Sequence, residues 1–149
     1  MKTNQKRNKN RGMRCPYCGA PVVFRSADGI YRENHRRTML YVCSRYPICD
    51  AYVRAHPGTK IPMGELADPE LRTLRRTAHQ YFDQLHESGY MTKKDAYRWL
   101  AATIDAPMQK AHIGWLGDYY CRKVITESRR LLENRNKNRE EASTYEAHR

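Results

Sequence analysis

The chain has 149 residues, a length that suits one compact domain or two small ones. Its 28 Lys and Arg against 16 Asp and Glu give a formal charge of +12, which points to polyanionic partners and away from a neutral small-molecule substrate. Mean hydropathy is -0.94, and no apolar run approaches the roughly 20 residues that cross a bilayer, so a membrane-spanning helix is excluded.

Residues 1–14 carry six basic side chains, three Asn and no acid. They offer too little apolar surface to fold and are expected to form a disordered cationic arm that contacts nucleic acid. The arm begins like a signal peptide, but no apolar stretch of about 7 to 15 residues follows, so a cytoplasmic location is expected.

The chain has five cysteines, and an odd number in a reducing compartment suits metal ligation better than a disulfide framework. Cys15 and Cys18 form a C-x2-C pair, 24 residues follow, and Cys43 and Cys49 form a C-x5-C pair. Two close pairs separated by short strands are what a tetrahedral zinc ion needs, since each tight turn presents two thiolates. Gly19 supplies the backbone freedom that a knuckle requires. Val22-Val23-Phe24, Ile30-Tyr31, Met39-Leu40-Tyr41-Val42 and Ala51-Tyr52-Val53 read as short strands, and Ala27-Asp28-Gly29 reads as a turn.

The predicted fold class is therefore α+β, with a four-cysteine zinc ribbon of short antiparallel strands over residues 15–56. Buried apolar cysteines, iron and an iron-sulfur cluster are the alternatives; cluster motifs usually have other spacings. Four thiolates close the coordination shell, so one structural Zn2+ is expected and not a catalytic ion. His35 and His56 are read as exposed. Cys121, on a helical apolar stripe, is read as a buried thiol outside the site.

The run Cys15-Pro16-Tyr17-Cys18-Gly19, the Val-Val-Phe-Arg strand and Tyr41-Val42-Cys43-Ser44-Arg45-Tyr46-Pro47-Ile48-Cys49 resemble the C-terminal zinc ribbons of type IA DNA topoisomerases. That resemblance covers residues 15–54 and implies contact with single-stranded DNA; it departs before Cys43, where Met39-Leu40-Tyr41 replaces a Gly-x-Phe approach. The chain as a whole, including His56-Pro57-Gly58-Thr59 and Ala111-His112-Ile113-Gly114, is similar to a family of small bacterial and phage zinc-finger-containing proteins of unassigned role.

Aromatic faces stack on unpaired bases while interleaved arginines reach phosphates. The candidate nucleic-acid contacts are Tyr17, Arg25, Arg36, Arg37, Arg45, Tyr46, Tyr52 and Arg54, whereas Phe24 and Tyr41 are assigned to the core. Zinc with four thiolates carries a charge near -2, so the arm is expected to be the larger electrostatic contributor.

Pro57-Gly58 and Pro62-Met63-Gly64 suggest a linker over residues 57–67. A helical region over residues 68–133 follows. Asp68-Pro69-Glu70 opens a helix with Leu71, Leu74, Ala78, Phe82 and Leu85 inward, and Gly89 closes it. Thr92-Lys93-Lys94-Asp95 resembles a capping box before Ala96, Tyr97, Leu100 and Ile104. Pro107 starts a short turn. Asp118 opens a third helix, with Cys121, Val124, Ile125, Leu131 and Leu132 inward.

Arg122, Lys123, Arg129 and Arg130 are the contacts a major-groove helix would use, although exposed basic faces are commonly only solvated. His79, His86 and His112 lack a recognisable carboxylate partner, and no nucleophile or phosphate-binding glycine loop is present. Residues 134–149 read as a polar tail. The expected function is that of a non-enzymatic nucleic-acid binder, with single-stranded DNA favoured and RNA possible as partner. The alternative is a protein-interaction adaptor for a replication or transcription enzyme.

Overall fold

The computed structural model describes residues 12–147; the basic arm up to residue 11 lies outside them. The chain divides into two units, Met1–Pro69 and Glu70–Arg149.

The first unit is built on a three-stranded antiparallel sheet in the order β1-β2-β3: Val22–Ser26, Met39–Cys43 and Tyr52–Arg54. Register assigns the faces. Phe24 opposes Tyr41, Tyr41 opposes Val53, and Val22 opposes Cys43, so these residues share one face. Arg25 opposes Leu40, Leu40 opposes Arg54, and Val42 opposes Tyr52 on the other. The cysteine face buries Cys15, Cys43, Ala51, Val53 and Leu66 together. On the opposite face Ala27, Leu40 and Val42 are covered by Ile30, Tyr31, Tyr46 and Tyr52.

Ile30-Tyr31, read as a strand, is instead the far side of a tight turn. The Ile30 and Tyr31 N–H groups both bond the Ala27 carbonyl, at 3.0 and 2.8 Å, which leaves no room for a ladder. Residues 57–67, read as a linker, fold back on the sheet. Ala55 bridges Pro62 and Tyr52 bridges Ala67, while Leu66 supplies a buried side chain that the small core would otherwise lack. Residues 12–14 also depart from the disordered arm: Arg14 bridges Pro21 and Met13 packs on the cysteine face.

The second unit contains helices α1 (Pro69–Glu87), α2 (Lys93–Thr103) and α3 (Asp118–Ala147), with two short 3-10 turns at Met108–Lys110 and Ile113–Trp115. The local signals act as expected. The Thr92 hydroxyl accepts the Asp95 N–H at 3.1 Å, and Gly89 takes a φ of 76° just beyond α1. Phe82, Leu85, Leu100, Ile104, Ile113, Leu116, Cys121 and Val124 form one buried core. Ser128 is fully buried there, and its hydroxyl has no partner among the described residues.

Of the polar tail expected over residues 134–149, the described part, up to Ala147, is a helical continuation of α3. No Gly or Pro follows Gly117, so the sequence holds no strong helix breaker there, and the side chains of residues 136–144 are exposed to solvent. No helix among the described residues is long and apolar enough to cross a membrane.

Candidate metal centre and the faces of the ribbon

Two backbone knuckles bring the four cysteines together. In the first, the Gly19 N–H bonds the Cys15 carbonyl at 2.8 Å, Cys15 N–H bonds Ala20 at 2.9 Å, and Gly19 sits at φ 75°. Only glycine takes that conformation without steric cost. In the second, Tyr46 N–H bonds the Cys43 carbonyl at 2.9 Å and Cys49 N–H bonds that of Arg45 at 3.1 Å. Pairing of Cys43 with Ala51, 3.0 Å from N to O, ties this knuckle to the chain entering β3.

The sulfurs of Cys15, Cys18, Cys43 and Cys49 all lie within 4.8 Å of one another. Cys15 and Cys49 Sγ are 3.6 Å apart, and Cys18 and Cys43 Sγ are 3.4 Å apart. A disulfide would need about 2.05 Å. Sulfurs about 2.3 Å from a tetrahedral zinc ion stand roughly 3.8 Å from each other, so the separations fit one ion and leave no space for a multi-iron cluster.

Protonation of the thiols supports the same conclusion. A backbone hydrogen bond at Ala20 lowers Cys18 to about 7, whereas burial pushes Cys49 up to about 12 and also raises Cys43. Four adjacent sulfurs therefore do not ionise together unless a cation compensates them. Cys121 is a separate, fully buried thiol. Burial raises it to about 11, and its Sγ approaches the Leu116 carbonyl at 3.8 Å.

A closed four-thiolate knuckle pair on a three-stranded sheet defines the class, a zinc ribbon holding one structural zinc ion. The family model described as DUF3268, zinc-finger-containing domain, matches residues 11–131, and the chain belongs to that family. No curated protein and no solved structure matches the chain.

The proposed nucleic-acid residues separate by location. Tyr46 and Tyr52 lie together on the face away from the cysteines, with ring centroids 6.3 Å apart. Tyr31, not among the predicted contacts, extends this row at 6.3 Å from Tyr52. Arg54 follows on the same face, while Arg36 and Arg37 sit on the preceding loop, all three exposed. Arg45 is exposed in the second knuckle.

Arg25 is engaged locally. Its guanidinium donates to the Ser26 and Asp28 carbonyls at 3.2 and 2.9 Å and so fastens the turn after β1. Tyr17, 47% exposed, stands apart in the first knuckle, and its hydroxyl accepts the Asp68 N–H at 3.0 Å.

Phe24 and Tyr41, assigned to the core from sequence, are only half-buried. Their rings, 5.0 Å apart, line a groove of about 470 Å³ with Val22, Met13 and Lys60. The Lys60 ammonium lies 5.9 Å from the Phe24 centroid, and the Tyr41 hydroxyl donates to the Lys60 carbonyl. Alternation in β1 and β2 showed that these two rings share a face, but not that the face is too wide for its covering segment.

In the helical unit most of the basic residues suggested for a major groove have partners. Arg122 donates to Asp118 at 2.7 Å and Glu70 at 3.1 Å, Arg130 pairs with Glu127, and Arg129 lies 5.3 Å from the Tyr81 ring centroid. The expectation that the histidines lack a carboxylate partner is corrected for two of them. Asp83 stands between His79 at 3.6 Å and His86 at 3.5 Å. Helical spacing of three and four residues creates that contact.

Proposed function

We propose that this protein is a non-enzymatic, zinc-stabilised binder of single-stranded nucleic acid, working in the cytoplasm, with DNA as the favoured strand. The observation that carries the reading is the division of the small sheet. One face is committed to the metal; the other carries the row Tyr46, Tyr52 and Tyr31 leading to Arg54, Arg36 and Arg37. A depression of about 320 Å³ joins Tyr31 to Arg36, Thr38 and Arg54. Its acid, Glu33, is paired with His35 at 3.2 Å. Stacking on such rings stabilises a bound strand by about 1 to 3 kcal/mol per base, and the arginines add salt-sensitive contacts with phosphate.

The likeness of residues 15–54 to topoisomerase ribbons supports the choice of single-stranded DNA. The basic residues before Gly12 add further positive charge to the chain. Zinc and its thiolates together carry a charge near -2, so recognition by the ribbon relies on where its arginines stand more than on its net charge.

The test is anisotropy with labelled single-stranded DNA, single-stranded RNA and duplex across a salt series. The single strand should bind more tightly than duplex, with log K falling at about -0.7 per neutralised phosphate. Tyr46→Ala with full zinc content should weaken binding by about 1 to 3 kcal/mol. No binding at low salt would end this reading.

Exposed apolar side chains favour the second reading, a protein-interaction adaptor for a replication or transcription enzyme. Met108, Trp115 and Tyr119 stand 44, 51 and 70% exposed in the helical unit. Such a cluster in the sequence suits a protein partner better than a phosphate backbone. Recovery of one stoichiometric protein after nuclease treatment, lost in Trp115→Ala, would favour the adaptor.

A further inference from the structure

We propose that the cleft between residues 36–39 and 54–58 is a receptor for a phosphate monoester, so that the ribbon recognises the phosphorylated end of a strand. The identification of a strand rests on the reading above; the phosphate chemistry of the cleft is independent of it. Arg36, Arg37, Thr38, Arg54 and His56 line a space of about 240 Å³. None of its lining residues is acidic. Among the described residues, the three guanidinium groups have neither an ion pair nor a hydrogen-bonded partner.

Both rims are built to hold their shape. The Asn34 side chain accepts the Thr38 N–H at 2.7 Å and donates to the Asp28 carboxylate at 2.8 Å, which keeps that acid occupied. Arg37 is held at φ 50°, a left-handed conformation uncommon for a non-glycine residue, and its N–H bonds the Asn34 carbonyl at 3.2 Å. Across the cleft, Ala55 N–H bonds the Met39 carbonyl at 3.0 Å, and His56 N–H bonds that of Ile61 at 2.8 Å.

Charge and shape select the ligand. An internal phosphodiester has one negative charge, and its two bridging oxygens are held by the strand. A monoester near neutral pH carries about -1.5 to -2 and three free acceptor oxygens. Three unpaired guanidinium forks around one space match the second ion, since each fork can donate to two oxygens. The depression running from Tyr31 shares Arg36, Thr38 and Arg54 with this cleft, which gives the terminal base a ring beside the phosphate site.

The experiment compares one short labelled single strand bearing a 5′-phosphate, a 3′-phosphate or hydroxyl at both ends. One phosphorylated end should bind about tenfold more tightly than the hydroxyl strand, and R36Q/R54Q should reduce that ratio to less than about twofold. Which end gains affinity identifies the source of the monoester. Equal affinity of all three strands for the native protein overturns the proposal while leaving single-strand binding intact.

If no strand binds, the broader reading fails, and titration with inorganic phosphate decides the cleft alone. Shifts in the Arg36, Arg37 and Arg54 Nε–H resonances would support it; unmoved resonances would overturn it. Should R36Q/R54Q lose zinc, R36K/R54K keeps the charge without the forks, and the same loss of the end preference is expected.

Discussion

In the ribbon the largest fully buried side chains are Leu40, Leu66, Val42 and Cys43; in the helical unit they include Phe82, Leu85, Leu100 and Val124. The ribbon divides its few apolar residues between two small clusters on opposite faces of the sheet, whereas the helices close one continuous core. A sheet of three short strands with both faces in use cannot gather enough buried area on either, and the metal supplies the difference. That division is also what leaves tyrosines and arginines at the surface. The helical unit directs its best apolar residues inward and carries several ion pairs, among them Arg122 with Asp118 and Arg130 with Glu127, on its surface.

The sharpest test of this contrast is metal removal from the full chain. Structural zinc contributes on the order of 10 to 16 kcal/mol to domains of this type, so chelation or Cys43→Ser should unfold the ribbon. Trp99 and Trp115 are the only tryptophans and both belong to the helical unit. Their fluorescence should therefore stay native while amide protection across Val22–Ser26 and Met39–Cys43 disappears. Loss of the tryptophan signal on chelation would break the comparison.

Acid should act through the same centre. Once the metal-free ribbon has unfolded, its cysteines are ordinary solvated thiols, mostly protonated at neutral pH. Zinc displaces a proton from each thiol of the four-cysteine set, so affinity rises with pH and falls as acid is added, by up to about 10,000-fold per unit below the thiol range. Chelator competition at several pH values measures that slope, and a flat profile would contradict it.

A mutation in the helical core should produce the reverse pattern. Phe82 is almost fully buried, with its ring 5.1 Å from that of Tyr97. Phe82→Ala is expected to cost about 3 to 5 kcal/mol through lost burial and a residual cavity. Thermal unfolding followed by tryptophan emission should shift downward while zinc content stays at one per chain.

The smallest effects concern two helix hydroxyls. Thr92→Ala removes the cap on Asp95 N–H and should cost about 1 kcal/mol. Ser128→Ala removes a buried hydroxyl that has no partner among the described residues, and should be neutral or stabilising by about 1 kcal/mol. Urea midpoints at constant zinc would separate the two signs.

Local chemistry made much of this protein readable in one dimension. The spacing of Cys15, Cys18, Cys43 and Cys49 determined the ligand set because a knuckle is a property of a few adjacent residues. Asp68-Pro69-Glu70, Thr92 and Gly89 determined helix boundaries for the same reason, since caps act within a single turn. The length of α3 was legible in principle from the absence of a breaker after Gly117, but polar composition there resembled a tail.

Tertiary structure decided what depends on atoms distant in sequence. Proline and glycine in residues 57–67 suggested a linker, yet the exposed edge of β3 and an unfilled core recruited that segment through Pro62, Leu66 and Ala67. Phe24 and Tyr41 became groove walls because strand register gave them one face and the covering chain left part of it open. Arg36 and Arg37 acquired Arg54 as a neighbour only when the loop closed by Asn34 met the end of β3. Caps and knuckles are written in contiguous residues; a face or a cleft exists only after strand pairing has fixed which side chains meet.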